Sequence, residues 1–154
     1  MKLSDLIRPE GLLLDVAAKD KDKVLRLLAA KSAELWGLEE ERVFDKLNAR
    51  EDLGSTGVGG GIALPHSPIP GLEEPALLLA RLKTPVDFHA VDDHKVDLVL
   101  MLLLPENNAS QHLNILSSAA RALRSEGFAR ELRNADAGRV HALLLEAATE
   151  ACER

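Results

Sequence analysis

The sequence is poor in cysteine, in aromatics and in basic charge, and each shortage removes a class of function. Its one cysteine, Cys152, stands two residues from the end of 154, so neither an intrachain disulfide framework nor a thiolate metal cluster can form. Aromatic residues make up 3% of the chain, too few for a base-stacking platform. Lysine and arginine number 19 against 25 acidic residues. The formal charge of −6 argues against a nucleic-acid surface or an anionic-membrane surface, and suits a basic protein partner. Long apolar runs are missing too: Leu98 to Leu104, the longest, falls far short of a bilayer. The opening Met1-Lys2-Leu3-Ser4-Asp5 leads into no signal-peptide-like apolar region, so a cytoplasmic location without membrane insertion is expected.

What is present reads as one globular domain over residues 1–154, with a hydrophobic fraction of 46% that can build a core. Leu12 to Val16 reads as a first strand. From Asp20 to Trp36, Leu25, Leu28, Ala29, Ser32, Leu35 and Trp36 recur at helical spacing, and Gly37 ends the helix. Glu39-Glu40-Glu41 places negative charge in the first turn of a second helix that runs to about Arg50. Three strands are expected next, at Ile62–Leu64, Ala76–Leu82 and Val96–Leu104. The last is nearly continuous in apolar residues, the mark of a strand buried on both faces. Asn108 with Gln111 forms a capping-box pattern for a helix to about Arg124. Gly127 to Asn134 reads as a turn, and a last helix carries Val140, Leu143, Leu144, Ala147 and Ala151 on one face. Helices before and after a block of strands imply an α/β sandwich with a mixed sheet.

The segment Gly54-Ser55-Thr56-Gly57-Val58-Gly59-Gly60-Gly61-Ile62-Ala63-Leu64-Pro65-His66 carries the chemistry. Glycines let backbone N–H groups approach an anion, and proline holds Leu64 extended, so one titratable imidazole is presented at a strand end beside a phosphate-sized loop. No Gly-Lys-[Ser/Thr] follows, and Ile62 occupies the final glycine position of G-x-G-x-x-G, so neither a nucleotide nor another organic cofactor is implied. Ser55 and Thr56 admit two readings, turn caps or donors to phosphate oxygens. Arg50 is either a cation favoured by a helix C-terminus or a guanidinium that neutralises phosphate. His112, in the first turn of its helix, is either a core histidine or a neutral donor kept uncharged by the helix N-terminus. His89 and His94 flank Asp92-Asp93, but their spacing fits no metal-ligand pattern and no metal is expected.

The Gly-Ser-Thr-Gly-x-Gly…Gly-x-Ala-x-Pro-His signature resembles the IIA proteins of the bacterial phosphoenolpyruvate-dependent phosphotransferase system, of the fructose/mannitol/nitrogen-regulatory type. Arg50 and His112 stand at separations from His66 that match the family's arginine and partner histidine or come within a residue. Pro85-Val86-Asp87-Phe88-His89-Ala90 and Val96-Asp97-Leu98-Val99 with Leu104-Pro105 resemble further family blocks. Gly60 departs from the pattern: nitrogen-regulatory members often carry a polar residue there.

The resemblance implies a three-layer α/β/α sandwich with a mixed sheet flanked by helices. It implies a phosphocarrier with His66 as nucleophile, Arg50 and His112 assisting, and a phosphate-binding loop of Ser55, Thr56, Gly57 and Gly59. The donor would be a small HPr-like phosphoprotein, and the acceptor a IIB component or a regulatory target. The stretch shows no fused transporter, IIB or HPr segment, which favours the nitrogen-regulatory kind. The alternatives are a sugar-uptake IIA component and a non-catalytic regulatory module of the same fold. Apolar partner contacts are expected from residues such as Ile69 and Leu72.

Overall fold

The computed structural model describes the backbone of residues 3–107 and 109–153, and the side chains of 5–107, 114–125 and 127–147. Two short 3-10 turns, Leu3–Leu6 and Pro9–Gly11, lead into strand β1 (Leu12–Val16). Helix α1 (Lys21–Trp36) is capped at both ends. Asp20 accepts a hydrogen bond from the Lys23 N–H at 2.9 Å, and Gly37, at φ 66°, closes the far end with its N–H on the Ala33 carbonyl. Helix α2 (Glu40–Asp52) follows, and the Arg26 guanidinium of α1 lies 3.6 Å from the centroid of the Phe44 ring of α2.

Strands β2 (Gly57–Gly59), β3 (Ile62–Ala63), β4 (His66–Ile69), β5 (Ala76–Val86) and β6 (Val96–Pro105) join β1 in an open mixed sheet. The order is β1-β5-β6-β3-β2, with β4 also on β6. Helices α3 (Ala109–Arg124), α4 (Glu126–Asn134) and α5 (Ala137–Glu153) complete the described chain.

Alternation along β6 decides the layers. Leu98, Leu100, Leu102 and Leu104 point into a core with Ile115, Ala119, Leu123, Leu132, Val140 and Leu143 of α3, α4 and α5. Val99, Met101 and Leu103 point into a second core with Leu25, Leu28, Val43 and Leu47 of α1 and α2. A strand covered on both faces has no polar side to offer, hence its unbroken apolar run. The expected α/β/α sandwich is therefore the observed one.

Three expectations differ from the structure. The segment 126–134 is a helix and not a turn: Ala129 and Leu132 are buried and Phe128 packs against the same core, a short stripe that Gly127 obscured. Strand β5 runs through Pro85 to Val86 and does not stop at Leu82. Its register against β6 shifts between Arg81 and Val86, and an irregular stretch tolerates a residue without an N–H. Finally, the strand at Ile62 does not end at Leu64. Ile62 pairs with Leu98 and His66 with Leu102 at one unchanged offset, so β3 and β4 are a single line broken only at Leu64-Pro65. The Asn108–Gln111 capping box lies outside the described residues.

Candidate functional site

His66 opens β4, half-buried, on the sheet face that α3 covers. Its strand partner Leu102 and the preceding Leu64 both belong to that core. Its Nδ1 lies 2.7 Å from the Leu64 carbonyl oxygen. A carbonyl only accepts, so Nδ1 carries the proton and Nε2 keeps the lone pair. Alternation along the strand line makes this bond possible. The Pro65 carbonyl accepts the Leu102 N–H at 2.9 Å and holds the line to β6, while the peptide groups of Leu64 face the other way. The Leu64 N–H donates to the Thr56 carbonyl at 3.0 Å, and the Leu64 carbonyl is left for the imidazole.

The loop between α2 and β2 is tied down from beneath. The Thr56 hydroxyl, buried, donates to Glu51 Oε2 at 2.5 Å, and the Thr56 N–H donates to Glu51 Oε1 at 3.0 Å. Lys21 Nζ sits 2.8 Å from the same Oε1 and 5.0 Å from the centroid of the Phe88 ring. The Ser55 hydroxyl donates to the Phe88 carbonyl at 2.5 Å and accepts the Gly57 N–H at 3.0 Å. In this geometry both hydroxyls shape the loop. A phosphate oxygen reaching the Gly57 N–H would have to displace the Ser55 hydroxyl.

Gly57 is a glycine because of close approach: a Cβ there would fall 2.7 Å from Ala90 Cβ and 2.9 Å from Ala90 Cα. Gly57→Ala is expected to destabilise the fold by about 1–3 kcal/mol, the usual range for overpacking. It would be read as a lower urea midpoint at unchanged m-value.

Gly59, Gly60 and Gly61 turn the β2–β3 hairpin at φ 101°, 66° and 80°. Arg133 of α4 donates to the Gly60 carbonyl at 2.6 Å and to both Asp97 oxygens at 3.1 and 2.9 Å. Asp92 accepts the Gly60 N–H at 3.0 Å. That bond first, and the His94 N–H second, hold the Asp92 carboxyl below its ordinary range. Its support of the turn is thus present at neutral pH and lost as the pH falls through the lowered pKa. The residue at position 60 takes part through its backbone alone.

Arg50, half-buried at the end of α2, donates from Nη1 to the Gly54 carbonyl at 2.8 Å. Among the described residues no hydrogen bond joins it to His66. His112 lies in the backbone of α3, and its side chain is outside the described residues. His89 and His94 are exposed beside Asp87 and Asp92, and no group of three or more potential metal ligands occurs among the described residues. Ile69 is not available to a partner: at 2% exposure it belongs to the core under α1 and α2, against which Leu72 also packs. Among the described residues, the exposed large apolar side chains are Leu53, Val58 and Val91.

Sequence reasoning missed Glu51 and Lys21. One signal was there. Glu51 is an acid in the last turn of α2, where the helix dipole disfavours negative charge, so a compensating partner was to be sought.

Residues 5–147 match the family described as phosphoenolpyruvate-dependent sugar phosphotransferase system, EIIA 2. A nitrogen regulatory protein of Bradyrhizobium diazoefficiens is 44% identical over 145 residues, covering 94% of this chain and 95% of that one. The crystal structure of the nitrogen regulatory protein IIA-Ntr from Neisseria meningitidis superposes with a TM-score of 0.88 at 31% identity, over 92% of this chain and 98% of that chain. The solved complex of enzyme IIAMTL and phosphorylated enzyme IIBMTL from Escherichia coli shares the fold, with a TM-score of 0.74 at 22% identity, over 89% of this chain and 95% of that one. No helix among the described residues is long and apolar enough to cross a membrane. The chain belongs to the EIIA type-2 family of the phosphotransferase system, whose members carry a phosphoryl group between the system's components.

Proposed function

We propose that residues 1–154 act as one phosphocarrier domain that accepts a phosphoryl group on Nε2 of His66 from the phosphohistidine of an HPr-like protein. The observation that carries this reading is the bond between His66 Nδ1 and the Leu64 carbonyl, which leaves the lone pair on Nε2. In the transfer a P–N bond forms at His66 Nε2 as the P–N bond of the donor breaks, and the leaving electron pair returns to the donor imidazole. Covalent capture divides the overall relay into two easier steps. The ring gains positive charge as it attacks, and a carbonyl that accepts from Nδ1–H stabilises that charge.

The transferred group spreads its charge over three equatorial oxygens, which need neutralising in line with attack. Arg50 is assigned this role. It stands at the start of the loop, and an exchange of its Gly54 carbonyl for a phosphate oxygen trades a neutral acceptor for a charged one. His112 is assigned the role of neutral donor from the α3 side. Ser55, Thr56, Gly57 and Gly59 shape the loop that sets the position of Leu64 and so of the imidazole. No metal or organic cofactor enters, since the phosphoramidate donor already carries the driving force.

The downstream role follows the relatives named nitrogen regulatory protein, so the phosphorylation state of His66 serves as a signal to a regulatory target. The second reading, sugar uptake through a IIB component, draws on the family description and on the solved IIA–IIB complex. The cytoplasm, where HPr-like donors work, is the assigned location.

Incubation with phosphoenolpyruvate, enzyme I and an HPr-like protein is the test. The expected result is a mass gain of one acid-labile phosphoryl group per chain. No gain would favour the non-catalytic module and overturn the carrier reading. Rapid onward transfer to a sugar IIB protein would favour uptake over regulation.

A further inference from the structure

Glu51 combines two unfavourable placements. It sits in the last turn of α2, against the dipole, and its side chain is only 3% exposed. Lys21 compensates it at 2.8 Å, yet a buried ion pair seldom does better for stability than apolar residues of equal volume. Its hydrogen bonds lead somewhere specific. Both carboxylate oxygens hold Thr56, one by the hydroxyl and one by the N–H. The Thr56 carbonyl accepts the Leu64 N–H, and the Leu64 carbonyl holds His66 Nδ1. Because the peptide groups of Leu64 face away from β6, this side of Leu64 is placed by Thr56. The position of the imidazole therefore depends on a carboxylate from the opposite face of the sheet.

We propose that Glu51, held by Lys21, is a positioning residue: through Thr56 and Leu64 it fixes the ring plane and the Nδ1–H tautomer of His66. The kinetic consequence rests on the reading of His66 as the phosphoryl acceptor, whereas the tautomeric consequence does not.

The test uses the full chain as Glu51→Gln, as Glu51→Met, as the Lys21→Met/Glu51→Met pair, and as Thr56→Val and Thr56→Ser. An amide at position 51 can keep its oxygen on the Thr56 N–H and turn its NH2 to the Thr56 hydroxyl, so Glu51→Gln should stay near the parent, whereas methionine offers Thr56 no acceptor. The double variant removes the unpaired ammonium, so a folded protein without the carboxylate remains available if Glu51→Met alone does not fold. Imidazole nitrogen-15 shifts of unphosphorylated His66 report the tautomer, and stopped-flow transfer from an HPr-like donor reports the rate.

In the parent, His66 is expected as the Nδ1–H tautomer. In the folded double variant the Nε2–H form should become populated and transfer should slow by about 10²-fold, the scale of a misplacement near 1 Å. Thr56→Val should show part of the same loss, and Thr56→Ser should restore it. Parent-like nitrogen shifts and rate in the folded double variant would overturn the proposal. A parent protein that takes no phosphate at all would overturn the carrier reading instead, and the shift comparison would still decide whether Glu51 positions the ring.

Discussion

His66→Gln is expected to take up no phosphoryl group while keeping the fold. The imidazole is half-buried at the start of β4, and its one described side-chain hydrogen bond goes to the Leu64 carbonyl. Loss of one such bond at a partly solvated site costs about 1 kcal/mol. For a chain of this size that moves the melting temperature by only about 2–4 °C. The chemistry has no comparable reserve. Glutamine offers no basic nitrogen lone pair at the position of Nε2, and the other histidines stand on other elements: His89 and His94 on the exposed segment between β5 and β6, His112 in α3 and His141 in α5. Labelling through the phosphoenolpyruvate relay, followed by intact mass measurement, should therefore show full occupancy on the parent and none on the variant. Acid-labile phosphate on a folded His66→Gln protein would show that another residue is the acceptor.

Arg81→Met is expected to cause the largest loss of stability. Arg81 lies in β5 at 8% exposure, and its guanidinium closes the seam between the sheet and the α4–α5 joint. It donates to the Leu132 carbonyl at 2.8 Å and the Ala135 carbonyl at 2.6 Å. It also makes a fork on Asp15 through Nε and Nη2, both at 3.1 Å. That fork, first by hydrogen bonding and then by charge, holds the Asp15 carboxyl below its ordinary range.

Methionine fills the stem of Arg81 and supplies no donor. Each carbonyl stripped of its donor costs about 1–3 kcal/mol where water cannot replace the bond. Two of them imply a fall in melting temperature on the order of 10 °C. Asp15→Asn should be much milder, because the Asp15 side chain is 66% exposed and water replaces what is lost. Calorimetry on the two variants checks both statements, and equal melting temperatures for parent and Arg81→Met would refute the seam.

Local pattern was enough for the elements whose signals lie within one or two turns. Helix α1 announces itself by a face repeating every three or four residues, by Asp20 before it and by Gly37 after it. The run Val96–Leu104, short and closed by Pro105, reads as a strand with both faces covered. The motif ending in Pro65-His66 marked the imidazole, because a proline dictates the conformation of its neighbour and glycines dictate where a backbone can turn. These are properties of adjacent residues, and a sequence states them directly.

What the chain alone left open was decided by distance contacts. Helix α4 has too few residues for a period to show, and it exists because Ala129 and Leu132 find a core built by α3, α5 and β6. The hydroxyls of Ser55 and Thr56 meet Phe88 and Glu51, whose carbonyl and carboxylate the loop reaches only when α2, β2 and the segment after β5 are brought together. Glu51 itself reads in sequence as one more acid on an acid-rich helix. Its meaning comes from Lys21, on another helix, and from the peptide of Leu64, which faces Thr56 across the β2–β3 pair. Residue types and local spacing specified which atoms could do the chemistry. The bond from His66 Nδ1 to the Leu64 carbonyl spans only two residues, but the contacts that hold that carbonyl, Leu64 to Thr56, Thr56 to Glu51 and Glu51 to Lys21, are tertiary, and no spacing encodes them.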